Sequence, residues 1–470
     1  MEHAQITPQA GWLEHDPQEL VANSVACIEG AVNSLGKRKD DIKAIGITNQ
    51  RETTILWDKH TGAPLYNAIV WSDGRTGDIV ESFTAKLGSK DALRQLCGLP
   101  LSTYFGAIKV RWLIDNVPDV KEAIQDGRCM FGTVDSWLLY NLTGRTVHAT
   151  DVTNASRTMM MNINTCYWDK ELCEILGVTG ITLPEIRSNS EIFGEMANGI
   201  LQGVPIAGII GDQQAATVGQ ACFKIGQAKN TYGTGCFLLV NTGTTIVQSK
   251  HGLLTTPCYK IGNQATVYAL EGAIANAGNT VQWLRDNLGF FKEAPEIEAL
   301  AADAQDTGGV IFVPALSGLY APYWRSDARG TILGLTQFSN KAHICRATLQ
   351  GVCYMTREVL EAMVLDSGHA LANLAVDGGM SRNNLMMQMQ ADTLGVPVVR
   401  AANPESTSMG CTVMAGLAVG IWKDTDEVAS TVAGGGAGKW WEPLTTCEER
   451  DAEFSIWKKA VMKSFASCSQ

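Results

Sequence analysis

Val21, Val25, Ile28, Val32 and Leu35 recur three or four positions apart, the spacing of one helix face. Asp16 stands where an N-cap carboxylate belongs, Pro17 suits the first helical turn, and Gly36 can stop the run. Ile42–Thr48 and Thr53–Trp57 then read as short strands, separated by Asn49-Gln50-Arg51-Glu52. Ile108–Ile114 reads as helix, stopped before Pro118, and Ser136–Leu142 as another short helix ahead of Gly144. Pro205–Gly211 is a buried-strand run, followed by Asp212 and a helical stretch from Gln214 to Ala221. Ala228–Thr242 reads as strand, glycine turn, strand. Ala372–Asp377 is a strand running into Gly378-Gly379, with a long helix expected from Arg382 to about Leu394.

This alternation predicts an α/β fold throughout. A boundary near residue 221 divides the chain into parts of similar length, 1–221 and 222–470. Ligands of open α/β sheets bind beyond the carboxyl ends of the strands, and Asp212 is at such an end. The segment Val432–Lys439, VAGGGAGK, invites a phosphate-loop reading. Ala433 at the first glycine position and Trp440 at the Ser/Thr position argue against it, so it reads as a surface loop.

Composition narrows the function classes. A chain of 470 residues fits two or three domains, each with its own core. Its 47 glycines suggest tight turns and close approach of backbone to ligand. A net charge of −11 argues against a nucleic-acid binder, which needs a basic face. The 13 cysteines are scattered with no CxxC spacing, and no HExxH occurs. A zinc site or disulfide framework is therefore not expected, and a reducing cytoplasm fits best. No run approaches the ~18 apolar residues of a membrane span, and the first residues resemble no signal or transit peptide.

Four clusters could carry chemistry. Arg51-Glu52 at a strand end offers donors and acceptors to adjacent hydroxyls of a polyol, although alone it reads more readily as a surface ion pair. Trp71 and Tyr104, near Lys109 and Trp112, could cover a polyol's carbon face or simply pack in the core. Asp212 in Gly211-Asp212-Gln213-Gln214 could take a proton from a hydroxyl, bind magnesium through water, or cap a helix. Two glycine turns, Tyr232–Cys236 and Val376–Met380, could cradle phosphate and nucleotide or be plain turns.

Together, in this order, these stretches resemble the glycerol kinases of the FGGY carbohydrate-kinase family. The matching segments include GITNQRETTILWD (46–58), TDVTNASRTM (150–159), GDQQAA (211–216), AKNTYGTGCFLL (228–239), YALEG (268–272) and VDGGMSRNNLMMQMQAD (376–392). SGLYAPYW and WKKAVMKS lean toward eukaryotic members. The resemblance implies an actin-like (ribonuclease H-like) two-domain fold with the active site in a central cleft. It implies a glycerol-binding N-terminal domain, 1–221, and a nucleotide-binding C-terminal domain, 222–470. It implies transfer of the ATP γ-phosphate to glycerol, giving sn-glycerol 3-phosphate and ADP, with Mg2+, and self-association. Arg51, Glu52, Tyr104, Asp212 and Gln213 match glycerol-contacting positions, and Trp71 and Phe237 the aromatic wall. Thr234, Gly278, Gln282, Gly379 and Asn383 match nucleotide-contacting positions. Asp212 is thereby the expected base, and a magnesium ligand through water.

Members of the family begin with a hairpin bearing an Asp-Gln-Gly-Thr type loop that grips phosphate, upstream of where this chain opens as MEHAQITPQAGW. The expectation is that roughly 30 residues are missing, enough for the ~5–6-residue strands of a hairpin. A weak or inactive, glycerol- or nucleotide-binding relative is the alternative this raises; a kinase of a larger sugar is another.

Overall fold

The structure, a computed structural model, describes residues 1–433 and 438–465. The first helix, α1 (Pro17–Leu35), is capped as expected: the Asp16 side chain accepts from Gln18 N, and Gly36 closes it. Its inner face carries Leu20 and Val32, whereas Leu35 is 47% exposed, because the helix end projects beyond the core it covers. Strand β1 (Ile45–Asn49) starts three residues later than its apolar run suggests. Helix α2 (Gly106–Asn116) runs two residues beyond the predicted Ile108–Ile114 at each end, and Pro118 both stops it and opens α3 (Pro118–Gln125), since a first-turn proline loses no helical hydrogen bond. Helix α4 (Val134–Leu142) is anchored to the start of α1 by Trp137 Nε1, which donates to Pro17 O at 2.7 Å.

A three-stranded sheet organises this half. Strand β2 (Ser190–Glu195) pairs antiparallel with β3 (Pro205–Gly211), which pairs parallel with β1. The register sets Gly211 opposite Asn49. The chain segments carrying Asp212 and Arg51 therefore leave the sheet at the same carboxyl end. Helix α5 (Asp212–Gly219) begins at Asp212 itself, two residues before the sequence pattern suggested, and ends before Ala221, which adopts a left-handed φ of 54°.

The second half is built on seven strands. Strands β4 (Ala228–Tyr232), β5 (Cys236–Gly243), β6 (Leu254–Tyr259) and β7 (Val267–Ile274) are joined by β8 (Leu374–Asp377), β9 (Val398–Arg400) and β10 (Lys439–Trp441) in the order β6-β7-β5-β4-β8-β9-β10. Helices α6 (Gly278–Asp286), α7 (Lys341–Ser367) and α8 (Asn384–Leu394) flank it. The helix expected from Arg382 is divided: Gly379–Arg382 form a 3-10 turn, and α8 starts after Asn383, whose side chain caps Met386 N at 2.8 Å. Of the segment read as a surface loop, residues 434–437 lie outside the described residues, while Lys439 belongs to β10.

Helix α9 (Ser406–Ala418) joins the halves. Although it lies late in the chain, it packs on β1, β3 and α5. Glycines allow this approach: a Cβ on Gly410 would stand 1.8 Å from Ala215 O, and one on Gly219 1.9 Å from Ser406 O. Among the described residues, no helix is long and apolar enough to cross a membrane.

Candidate active site

Asp212 is the one partly open member of a buried charge lattice. Its side chain is 33% exposed, while Arg51, Glu52, Arg157 and Glu271 are at most 1% exposed. Arg51 binds Glu271 through both terminal nitrogens, at 2.6 and 2.8 Å, and its Nη1 donates to Gln214 Oε1 at 3.2 Å. Arg157 Nε donates to Glu52 Oε1 at 2.6 Å, and its terminal nitrogens reach Glu271 at 3.2 and 3.3 Å. Burial alone would push the Glu271 carboxyl upward, but the guanidinium groups of Arg157 and Arg51 outweigh it and hold it at about 2. For Glu52 burial wins over the same two cations and raises its pKa. Arg51 Nε lies 3.2 Å from Asp212 Oδ1, yet it is buried and has no aligned hydrogen-bond acceptor. A donor is thus left beside the exposed carboxylate.

Glu52 holds this position through a left-handed backbone, φ 58°, which turns the chain between β1 and the next strand and buries consecutive charged side chains. Such strain is typical of functional turns. Gln213 extends the lattice across the halves. Its backbone N–H donates to Asp212 Oδ1 at 2.8 Å and its Nε2 to Asp212 Oδ2 at 3.1 Å. Its Oε1 accepts from Lys229 Nζ at 2.5 Å. Burial lowers the Lys229 pKa, against the attraction of Asp377 and Asp212.

Three aromatic rings cluster beside this lattice, Tyr104 against the Arg157 guanidinium. Trp71 meets Tyr104 edge-on at 5.6 Å and Phe237 at 6.2 Å between centroids. Trp71 and Tyr104 come from the first half and Phe237 from β5 of the second. The Arg157 guanidinium lies 5.6 Å from the Tyr104 ring centre, and Lys109 Nζ donates to Tyr104 O. Burial raises the Tyr104 phenol well above its ordinary value, so it stays protonated and can donate.

The other predicted positions gather at a second locus. The exposed turn around Thr234 docks on the start of α6: Gly278 N donates to Gly233 O at 3.0 Å, and Asn279 N to Thr234 O at 3.1 Å. Gln282 is exposed on α6. Gly378 has φ 84°, and a Cβ there would lie 2.4 Å from Tyr232 O, so the turn after β8 fits against the same hairpin only as glycine. Gly379 faces open space, and Asn383 spends its side-chain oxygen on the α8 cap. Glu271, Arg157 and Lys229 were not singled out in the sequence, and Lys109 only as a neighbour of Trp71 and Tyr104. Glu271, Arg157 and Lys229 lay within matched family stretches, YALEG, TDVTNASRTM and AKNTYGTGCFLL, which was the available signal. Among the described residues, no group of three His, Cys, Asp or Glu side chains is placed to hold a metal.

Comparison with known proteins adds to this geometry. The N-terminal domain of the FGGY family of carbohydrate kinases matches residues 1–219, and the C-terminal domain of that family matches residues 228–419. Glycerol kinase of Paenarthrobacter aurescens is 53% identical over 468 residues, covering 99% of this chain and 92% of that protein. Glycerol kinase of Chloroflexus aggregans is 54% identical over 467 residues, covering 99% and 93%. The crystal structure of Plasmodium falciparum glycerol kinase with ADP superposes with a TM-score of 0.93 at 42% identity, covering 99% of this chain and 93% of that one. Gluconate kinase of Lactobacillus acidophilus, at 21% identity and a TM-score of 0.85 over 99% and 93% of the two chains, shares the fold.

Proposed function

We propose, for a chain that belongs to the FGGY family of carbohydrate kinases, that Asp212 is the base of its phosphoryl transfer and that glycerol lies between Asp212 and the aromatic wall. The protein is an ATP:glycerol 3-phosphotransferase with the two-domain, actin-like fold of its relatives. The observation that carries the site assignment is the partly exposed Asp212 carboxylate, flanked by the unaligned Arg51 Nε, in a charge lattice that Tyr104 of the Trp71–Tyr104–Phe237 ring cluster packs on through Arg157.

Glycerol sets its carbon face against the three rings, and Arg51, Glu52, Tyr104 and Gln213 take its hydroxyls. Asp212 accepts the proton of the terminal hydroxyl as its oxygen attacks the γ-phosphorus in line. Backbone N–H groups of the turn at Thr234 and the Thr234 hydroxyl face the phosphate oxygens, and Gly278, Gln282, Gly379 and Asn383 hold the rest of the nucleotide. The division of labour follows: residues 1–221, completed by Phe237 of the second half, bind glycerol, and 222–470 bind ATP. Mg2+ suits a lone, partly exposed carboxylate that it can engage through its own waters, so Asp212 would hold it in that way and the ion would neutralise phosphate charge. The reaction is placed in the cytoplasm, a reading supported by twelve described cysteines that are all unpaired. Self-association belongs to the same reading and is checked by light scattering.

The crossing of two variants tests the assignment. Phe237→Ala should raise the KM for glycerol about tenfold, the worth of roughly 1.4 kcal/mol of lost ring contact, and leave the KM for ATP unchanged. Thr234→Val should raise the KM for ATP and spare that for glycerol. A reversed pattern, or two silent variants, would overturn it.

A further inference from the structure

The residues assigned to catalysis hang from two strand ends. Asn49 closes β1 two positions before Arg51, and Gly211 closes β3 one position before Asp212. Asp151, in the segment between these strands, is fully buried, and its carboxylate is linked to both through neighbouring side chains. Its Oδ2 accepts from Thr153 N at 2.6 Å, from Asn189 Nδ2 at 2.7 Å, from Asn154 N at 3.3 Å and from the Thr153 hydroxyl. Its Oδ1 accepts from Asn154 Nδ2 at 2.6 Å.

Each of these partners passes the hold onward. Thr153 Oγ1 accepts from Gly211 N at 2.9 Å. Asn154 and Asn49 exchange side-chain hydrogen bonds at 3.0 and 3.2 Å. Asn189 Nδ2 also donates to Ile209 O in β3 at 2.9 Å, and its Oδ1 accepts from Lys260 N at 2.7 Å. Thr153, Asn154 and Asn189 are as inaccessible as Asp151. A hydroxyl has one proton. Because the Thr153 proton goes to Asp151, its lone pairs are turned to the Gly211 N–H. Burial and the neighbouring Asp135 push the Asp151 carboxyl up to about 7, so the converging donors are what keep its ionised form accessible near neutrality.

We propose that Asp151 is a positioning residue: through Thr153 and Asn154 it fixes the ends of β3 and β1, and so the aim of Asp212 and Arg51 at the acceptor hydroxyl. This rests on the reading of Asp212 as base. The network reaches substrate only through backbone, so small displacements are its currency, and a shift near 1 Å at a reacting group costs about 10²-fold in rate.

The test compares Thr153→Val, isosteric but without the hydroxyl, with Thr153→Ser, which keeps it, and adds Asp151→Asn. Thr153→Val and Asp151→Asn should lower kcat about 10- to 100-fold. The KM for ATP and the stoichiometry of calorimetric ADP binding should hold, and Thr153→Ser should recover most of the rate. Equal kcat for the Val and Ser variants overturns the proposal. So does a loss of rate matched by an equal loss of ADP-binding sites, which would mark simple unfolding. Asp212→Asn, run alongside, separates the two readings: turnover there removes the base assignment, whereas an inactive Asp212→Asn with equal Thr153 variants removes the positioning role alone.

Discussion

Lys109 is an ammonium with no exposed surface, on the buried face of α2, donating to the backbone of Tyr104. Burial lowers its pKa from 10.5 to about 7, against the pull of Glu52 and Asp73. An unfolded lysine keeps its proton to about pH 10. Between pH 7 and about 10 the unfolded chain therefore binds one more proton than the folded one, and folding stability should rise with pH by up to about 1.4 kcal/mol per unit. Lys109→Met should flatten that slope in denaturant titrations across this window; parallel slopes would contradict the burial argument. The sequence made Arg51 and Glu52 visible as a motif but not their state. Read alone they are a surface pair, whereas the folded chain spends both on partners far along the sequence, Glu271 and Arg157. Nothing local announces Glu271, because β7 is buried on nearly every residue and shows no alternation to mark an inward charge.

At the scale of elements, the strand β3 and the hairpin β4–β5 were legible because apolar runs end at glycines, and α1 because its cap is written in Asp16-Pro17. Boundaries set by side-chain caps were not: Asn383 starts α8 two residues after the apolar pattern does, and Asp212 is drawn into α5 by its own helix. The crossing of α5 and α9 was wholly invisible, since nothing in the sequence around Gly410 tells what that segment touches. That crossing carries a prediction. Gly410→Ala places a Cβ 1.8 Å from Ala215 O, backbone that cannot rotate aside. Overpacking of this kind costs about 1–3 kcal/mol. Because α5 begins with Asp212, kcat should fall as well. Unchanged urea midpoint and unchanged kcat would show that the helices slide freely.

At the scale of the molecule, the halves meet through charge as well as packing. Arg51 and Arg157 come from the first half, Glu271 from the second, and Phe237 closes a wall begun by Trp71. Glu271→Gln should leave two guanidinium groups in a dry site with their neutralising charge reduced, at a cost of about 3–5 kcal/mol. Thermal unfolding should then begin at lower temperature, and glycerol should stabilise the variant less than it does the wild type. A melting curve indistinguishable from wild type would mean that the lattice holds nothing together. On the proposed reading, excluding water from this interface also lets glycerol rather than water accept the phosphoryl group. The central claim is narrower: Asp212 removes the proton while the rest of the lattice binds. Turnover and a calorimetric glycerol titration of Asp212→Asn, side by side, test it most directly. Retained glycerol binding with kcat lower by about 10²-fold or more is the predicted result; turnover near wild type, or glycerol binding lost together with activity, would contradict it.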